Sequence, residues 1–326
     1  MSDSREVRFV ITGLICVVLL LSCGCAQRDK AVDLYLDGIL LTEYDEDEKA
    51  LEKLTEAVKI DKDFAYAYSV LGQVYEKMAD YPNSAASYEK ATEINPWSFK
   101  DFFNLGRIYQ IMKELAKAVD AYARACEIDP EHLEAHIKAA KCYVELEDYE
   151  GALSFTRRAE EIDPNVGEVQ MLLADIYRWQ EDYEEAIRSY KRVLETDSNN
   201  PEVMTSLAIV YLRINLYEPA KELLALTIQA QPDNAKAYQY LGYCHLKLND
   251  VDSAIEAYAA AVRINDKGWE ALRALGVAYM LKAIVADDES FKLKAIEQWR
   301  ASLEIEPEQS NSQTLLRLIQ KYSKDG

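Results

Sequence analysis

The sequence predicts an all-α solenoid of about eight stacked helix-turn-helix units, and two observations carry that prediction. Pro96, Pro130, Pro164 and Pro232 are separated by 34 residues or by twice that. A fixed period of this length marks a stacked array of helix pairs. Residue size recurs in the same register. With first positions at Ala31, Ala65, Phe99, Leu133, Gly167, Pro201, Ala235 and Trp269, the eighth positions are all small: Gly38, Gly72, Gly106, Ala140, Ala174, Ala208, Gly242 and Gly276.

Each element follows from that register. Large residues dominate the twenty-fourth position, as in Leu54, Tyr88, Tyr122, Tyr190, Leu224 and Tyr258. Spacings of three and four place such residues on one face of a helix. A small residue there lets two backbones approach, and the large one fills the neighbouring space. Between the helices, Asp148-Tyr149 and Asp182-Tyr183 supply a carboxylate able to cap the second helix. Proline at the thirty-second position cannot continue a helix and closes the unit. The units therefore span 31–64, 65–98, 99–132, 133–166, 167–200, 201–234, 235–268 and 269–307. The first is worn, with Leu41 for the usual Tyr and Lys62 for Pro. The eighth runs seven residues long, since Trp299, Ser302 and Pro307 stand late. Its insertion, near 283–292, predicts two further helical turns or a protruding loop. Within 308–326, Gln313 to Tyr322 reads as an amphipathic helix capping the last unit.

This pattern resembles the tetratricopeptide repeat family over roughly five-sixths of the chain. The resemblance implies a right-handed superhelix, close to a complete turn, that binds proteins on its concave face. It also implies that the first helix of each unit lines that face through positions two, five, six, nine, twelve and thirteen. Those positions give a basic, partly aromatic strip of Gln73, Lys100, Phe103, Asn104, Arg107, Lys138, Lys141, Met171, Arg178 and Trp179. Such a strip suits an acidic or carboxylate-terminated peptide segment. The alternative is an ordinary solvated face, interspersed with Glu134, Glu168 and Asp175. Chaperone-binding relatives use a Lys/Asn/Arg carboxylate clamp. Asn104 and Lys138 match two of its positions, but Gln73, Ser69 and Glu134 replace other members. A secondary strip of Gln239, Tyr240, Tyr243, Lys247 and Arg273 is polar and aromatic, and ranks below the first.

Ahead of the repeats, Arg5 and Arg8 precede an apolar run from Phe9 to Leu21, then Ser22-Cys23-Gly24-Cys25. This has the charged, apolar and small-residue regions of a secretory signal. Leu20-Leu21-Ser22-Cys23 resembles the lipobox of bacterial lipoproteins, which implies cleavage after residue 22, a lipid on Cys23 (alternatively Cys25) and a short tether over 23–30. An uncleaved anchor is the alternative, since Phe9 to Ala26 is just long enough to span a bilayer. Either reading places the repeats outside the cytoplasm, at a membrane surface of the cell envelope.

Acidic residues number 57 against 37 basic ones, a net charge of −20. Such a surface repels polyanions, so nucleic acid is a poor partner. Cys126, Cys142 and Cys244 remain outside the signal, an odd number that excludes a fully paired disulfide set, although a Cys126–Cys142 bridge is conceivable. The three histidines do not form a zinc-protease helix, because Leu133 rather than Glu follows His132. His132 falls in a turn, and His136 and His245 fall on packing positions. No phosphate loop, nucleophile elbow, metal-ligand spacing or cofactor motif appears, so the expectation is a protein with no catalytic residues, metal or cofactor.

The expected function is a membrane-tethered scaffold binding protein segments in the envelope, as in outer-membrane assembly, secretion, pilus biogenesis or polysaccharide export. The alternative is a non-catalytic regulatory or carbohydrate-export subunit of an envelope enzyme complex.

Overall fold

The computed structural model describes residues 27–323. Among these residues the chain forms seventeen helices and no strand. They are α1 (27–43), α2 (Asp47–Ile60), α3 (Ala65–Lys77), α4 (Tyr81–Ile94), α5 (Phe99–Ile111), α6 (Leu115–Ile128), α7 (Leu133–Glu145) and α8 (Tyr149–Ile162). Then follow α9 (Gly167–Trp179), α10 (Tyr183–Thr196), α11 (Pro201–Arg213), α12 (Tyr217–Ala230), α13 (Ala235–Lys247), α14 (Val251–Ile264), α15 (Trp269–Ala286), α16 (Glu289–Ile305) and α17 (Ser312–Ser323). The first helices of repeats two to seven each have 13 residues and the second helices 14. The helix pairs form two compact units, one ending at Asp163 and one beginning at Pro164. The stretch read as a tether over 23–30 is helical from residue 27, continuing α1 backwards. The signal region, including Cys23 and Cys25, lies outside the described residues. No helix among the described residues is long and apolar enough to cross a membrane.

Pairing within each repeat rests on the small eighth position. A Cβ added to Gly106 would lie 2.8 Å from the Tyr122 ring, and one on Gly72 2.9 Å from Tyr88. Gly242 meets Tyr258 in the same way, and Gly276 meets Trp299. Tyr88, Tyr122 and Tyr190 are fully buried, so each inserted ring supplies a large apolar area to the repeat core. In repeat four the eighth and twenty-fourth residues are Ala140 and Thr156, both fully buried.

The turn inside each repeat holds a feature that the sequence did not signal. Asp45, Ala79, Lys113, Glu147, Glu181, Asn215 and Asn249 all have φ between 59° and 63°, the left-handed region. All occupy the fifteenth position, and none is glycine. The next residue closes the first helix: Asp80 donates its N–H to the Tyr75 carbonyl at 2.8 Å, and Asp182 donates to Tyr177 at 2.8 Å. This is the long-range bond of a Schellman ending. The same aspartates then cap the second helix, Asp148 accepting from the Gly151 N–H at 3.0 Å and Asp250 from Ser253 at 3.1 Å. One residue thus ends one helix and starts the next.

Between repeats, Ser98, His132, Asn200 and Asn234 cap the next first helix. The carbonyls of Pro130 and Pro164 meet His136 Nε2 at 3.0 Å and Gln170 Nε2 at 3.3 Å. The seven extra residues of repeat eight lengthen the helices instead of forming a loop. Helix α15 has 18 residues and α16 has 17, with the left-handed turn residue now Asp287. Helix α17 closes the second unit, burying Leu315 and Ile319 in a cluster with Met280, Ile296 and Trp299.

Two glycines separate packing from propensity. Gly106→Ala forces the Tyr122 ring aside and should lower stability by about 1–3 kcal/mol. Gly167→Ala meets nothing within 4 Å at the start of α9 and should raise it by roughly 0.4–1 kcal/mol. Urea unfolding followed by circular dichroism measures both; equal effects would exclude the ring contact as the determinant.

Candidate functional site

In the first unit, the sequence-read strip lies on α3, α5 and α7, and much of it is committed to internal contacts. Gln73 donates to the Ser69 carbonyl at 3.3 Å. The Phe103 ring packs against Phe99, Tyr122 and His132, with centroids 5.5–5.6 Å apart, so it belongs largely to the core. Asn104 is buried and accepts a hydrogen bond from Arg107. Arg107 is ion-paired with Glu76 at 2.8 Å, and Lys138 stands 4.0 Å from Glu134. Lys100 is exposed and Lys141 half-buried.

In the second unit, α9 carries Met171, half-buried, and the exposed Trp179. The Arg178 guanidinium lies 4.7 Å from the Trp179 ring, pairs with Asp175 at 3.1 Å and donates to the Tyr190 hydroxyl at 3.2 Å. Tyr190 in turn donates to Asp175 at 2.6 Å. The strip that runs from Gln73 to Trp179 in sequence is therefore divided between the two units.

The second strip converges on concave space. A cavity of about 350 Å³ opens among α11, α13 and α15, with Arg213, Gln239, Tyr240, Tyr243, Glu270 and Arg273 around it. Its apolar wall is made by Ile209, Leu212, Ala274 and the largely buried ring of Tyr258. A neighbouring cavity of about 440 Å³ shares Gln239, Tyr240 and Glu270 with it and adds Lys236. A third, about 560 Å³, shares Ile209 with the first and Lys236 with the second. Cavities that share walls form one groove across the first helices of repeats six, seven and eight. Tyr243 leans edge-on to Tyr217 at 6.4 Å, and Lys247 Nζ sits 5.3 Å from the Tyr243 ring centroid. Arg273 donates to the Ser310 carbonyl at 3.1 Å and lies 4.9 Å from the Trp269 ring. Burial pushes the Tyr240 hydroxyl above its ordinary pKa, against the opposing pull of Arg213 and Arg178, so it stays a neutral donor.

Sequence reading missed Arg213, Lys236 and Glu270. All three obey the register, at the thirteenth, second and second positions of repeats six, seven and eight. What was lacking is clustering along the chain, since each stands alone among neutral neighbours and meets the others only through stacking.

The histidines serve the scaffold. His132 Nδ1 caps α7 by accepting from Ala135 at 3.2 Å, and His245 Nδ1 stands 3.3 Å from Asp250. His136 is buried beside Phe155. Cys126, Cys142 and Cys244 are free and buried, so the conceivable Cys126–Cys142 bridge is not formed. Burial pushes their thiols up to about 12, 11 and 11 respectively, which leaves them poor nucleophiles. Among the described residues no group of three or more His, Cys, Asp or Glu side chains is placed to hold a metal ion.

Tetratricopeptide repeat models match residues 65–96, 111–176, 180–239 and 235–267, together more than half of the chain. The chain belongs to the tetratricopeptide repeat family. Among solved structures, this tetratricopeptide repeat chain is similar to YrrB, a TPR protein with an unusual peptide-binding site. The identity is 22% and the TM-score 0.51, over 58% of this chain and 98% of that one. It is also similar to Pseudomonas aeruginosa pilF, at 21% identity and a TM-score of 0.50, over 65% and 96% of the two chains. A chain of the APC/C hetero-tetramer Cut9-Hcn1 gives 15% identity and a TM-score of 0.53, over 85% of this chain and 52% of that one. At such identities the likeness establishes the fold. No curated protein matches the sequence significantly. The shared fold is that of a scaffold for protein–protein interaction.

His136 gives the tetratricopeptide array a testable acid sensitivity. Burial holds its imidazole below the ordinary value of 6.5, so the unfolded chain takes up the proton first. Its contribution therefore leaves stability intact above about pH 6.5 and lowers it as pH falls toward the folded-state value. Gln at the equivalent position of repeat five, Gln170, makes the same bond to a proline carbonyl without titrating. The melting temperature of His136→Gln should gain on the parent chain between pH 7.5 and 5.5; a constant difference would remove His136 as the cause.

Proposed function

We propose that this chain is a non-catalytic scaffold, tethered to a membrane at its N-terminus, that binds an extended segment of a partner protein. The observation that carries the binding reading is the groove across α11, α13 and α15, whose three cavities share Ile209, Lys236, Gln239, Tyr240 and Glu270. A continuous trough lined by aromatic rings, amides and charges of both signs suits a peptide, which offers side chains and backbone groups at regular intervals. YrrB shows that this fold can carry a peptide-binding site. In the first unit, the positions equivalent to this lining hold Lys100, Lys138 and Lys141.

The tether is Cys23, with Cys25 as the alternative. The basic, apolar and small-residue succession from Arg5 to Cys25 supports export and lipidation. An acidic array held at a membrane outside the cytoplasm would gather partners in the envelope, for assembly, secretion, pilus biogenesis or polysaccharide export.

Both parts have direct tests. A photo-crosslinking residue at Gln239, in cells, should trap a protein, whereas one at Leu226, exposed on α12, should trap none. Equal yields would exclude the groove. Cys23→Ala should abolish incorporation of a labelled fatty acid and release the chain from membranes, and Cys25→Ala should do neither. Undiminished labelling of Cys23→Ala would overturn that assignment.

A further inference from the structure

The cavity among α11, α13 and α15 has a chemistry of its own. Its wall of Ile209, Leu212, Ala274 and Tyr258 is apolar, and its volume of about 350 Å³ falls at the lower end of small-ligand pockets. It has room for one large side chain. Two guanidiniums border that wall, and they differ from other arginines of the first helices. Arg107 is neutralised by Glu76 and Arg178 by Asp175. Arg213 is exposed and has no carboxylate within ion-pair distance among the described residues. Arg273 gives one N–H to a neutral carbonyl, Ser310, and stacks on Trp269, so its charge is likewise uncompensated by a contact. In a chain of net charge −20, these two arginines put positive charge beside one apolar pocket whose lining holds a single carboxylate, Glu270, in ion-pair contact with neither of them.

We propose that this cavity anchors an apolar side chain of a partner segment whose nearby carboxylate is held by Arg213 and Arg273. The proposal rests on the scaffold reading above and names the chemistry that the groove selects. A guanidinium presents parallel N–H donors that match a carboxylate in two-pronged fashion, and at the half-buried Arg273, stacked on Trp269, the pair is less screened than in open solvent. The apolar side chain supplies the area-dependent part of the affinity against Ile209, Leu212 and Tyr258. Glu270, on the wall shared with the adjacent cavity, repels a second carboxylate and accepts a backbone N–H instead. It therefore fixes direction: the carboxylate lies toward Arg213 and the chain leaves past Gln239 and Lys236. The carboxylate has two sources, the C-terminus of the partner or an Asp or Glu side chain beside the apolar residue.

A randomised pool of acetylated heptapeptides, made once as free acids and once as amides, would be passed over the immobilised full-length chain. Retained peptides would be sequenced by mass spectrometry. The expected result is enrichment of a carboxylate within two residues of a large apolar side chain. Enrichment confined to the free acids assigns the terminal carboxylate; enrichment of Asp or Glu in both pools assigns a side chain. Retention of the enriched peptides should fall by roughly tenfold or more on Arg213→Ala, as loss of a charged hydrogen-bond pair implies, and remain low on Arg213→Lys. The exposed Lys267→Ala serves as the unaffected control. Because Arg273 also touches Trp269 and Ser310, Ala274→Phe, which fills the cavity, gives a second route to the same loss, with helicity and melting checked alongside. Enriched peptides without a carboxylate, or unchanged retention on Arg213→Ala, would overturn the anchor while leaving the scaffold standing. No retention of any peptide would overturn the anchor and the peptide groove together.

Discussion

The contact between a small residue at the eighth position of one helix and a large ring at the twenty-fourth of its partner governs the rest of this structure. With Gly106 against Tyr122, or Gly72 against Tyr88, the backbone of the first helix comes down onto an aromatic ring. The helices then stand close enough for the whole pair to bury one common stripe. Size is balanced across the contact: repeat six sets Ala208 with Leu224, and repeat eight sets Gly276 with the still larger Trp299. Other repeats depart from this balance: repeat one sets Gly38 against Leu54, repeat four has Ala140 and Thr156, and repeat five keeps both Ala174 and Tyr190, whose hydroxyl bonds to Asp175 and Arg178. The contact reaches the groove as well. Trp299 donates its Nε1–H to the carbonyl of Arg273, so packing in the last repeat helps to hold a residue at the cavity.

Turn chemistry fixes the second dimension of the array. In repeats one to seven a left-handed residue at the fifteenth position reverses the chain in three residues, and in repeats two, four, five and seven the aspartate after it satisfies groups from both helices. Non-glycine residues accept this conformation at a cost of about 1–2 kcal/mol each. The Schellman bond and the aspartate cap together over-determine the turn, which is why Ala79, Glu147 and Glu181 can occupy it.

Electrostatics then divides the surface by use. Many cations are offset locally, Lys77 by Asp45 and Asp47, Arg158 by Glu131 and Glu161, Lys282 by Asp252. These exposed pairs contribute little to stability. What they do is flatten the positive potential over most of the chain, so that basic groups without such partners stand out. Arg213 and Arg273 are two such groups, and they border a cavity where aromatic and aliphatic walls also meet.

The sequence by itself determined the helix pairs, the large–small code of the core, the capping helix over α16 and the turn or packing positions of His132, His136 and His245. All of these are local or strictly periodic: a 34-residue register repeats the same neighbours each time, so one repeat explains the next. Tertiary structure decided what periodicity cannot carry. Whether the extra residues near 283–292 formed a loop or longer helices depended on α15 and α16 packing against each other, as where Tyr279 stacks on Phe291. Whether Arg107 was a free groove cation depended on Glu76, one repeat earlier. The cavity required Ile209, Tyr240 and Glu270 from three different repeats to face one space. Stacking makes neighbours of residues 30 or so positions apart, and no spacing within a single helix reveals which of their charges remain unanswered.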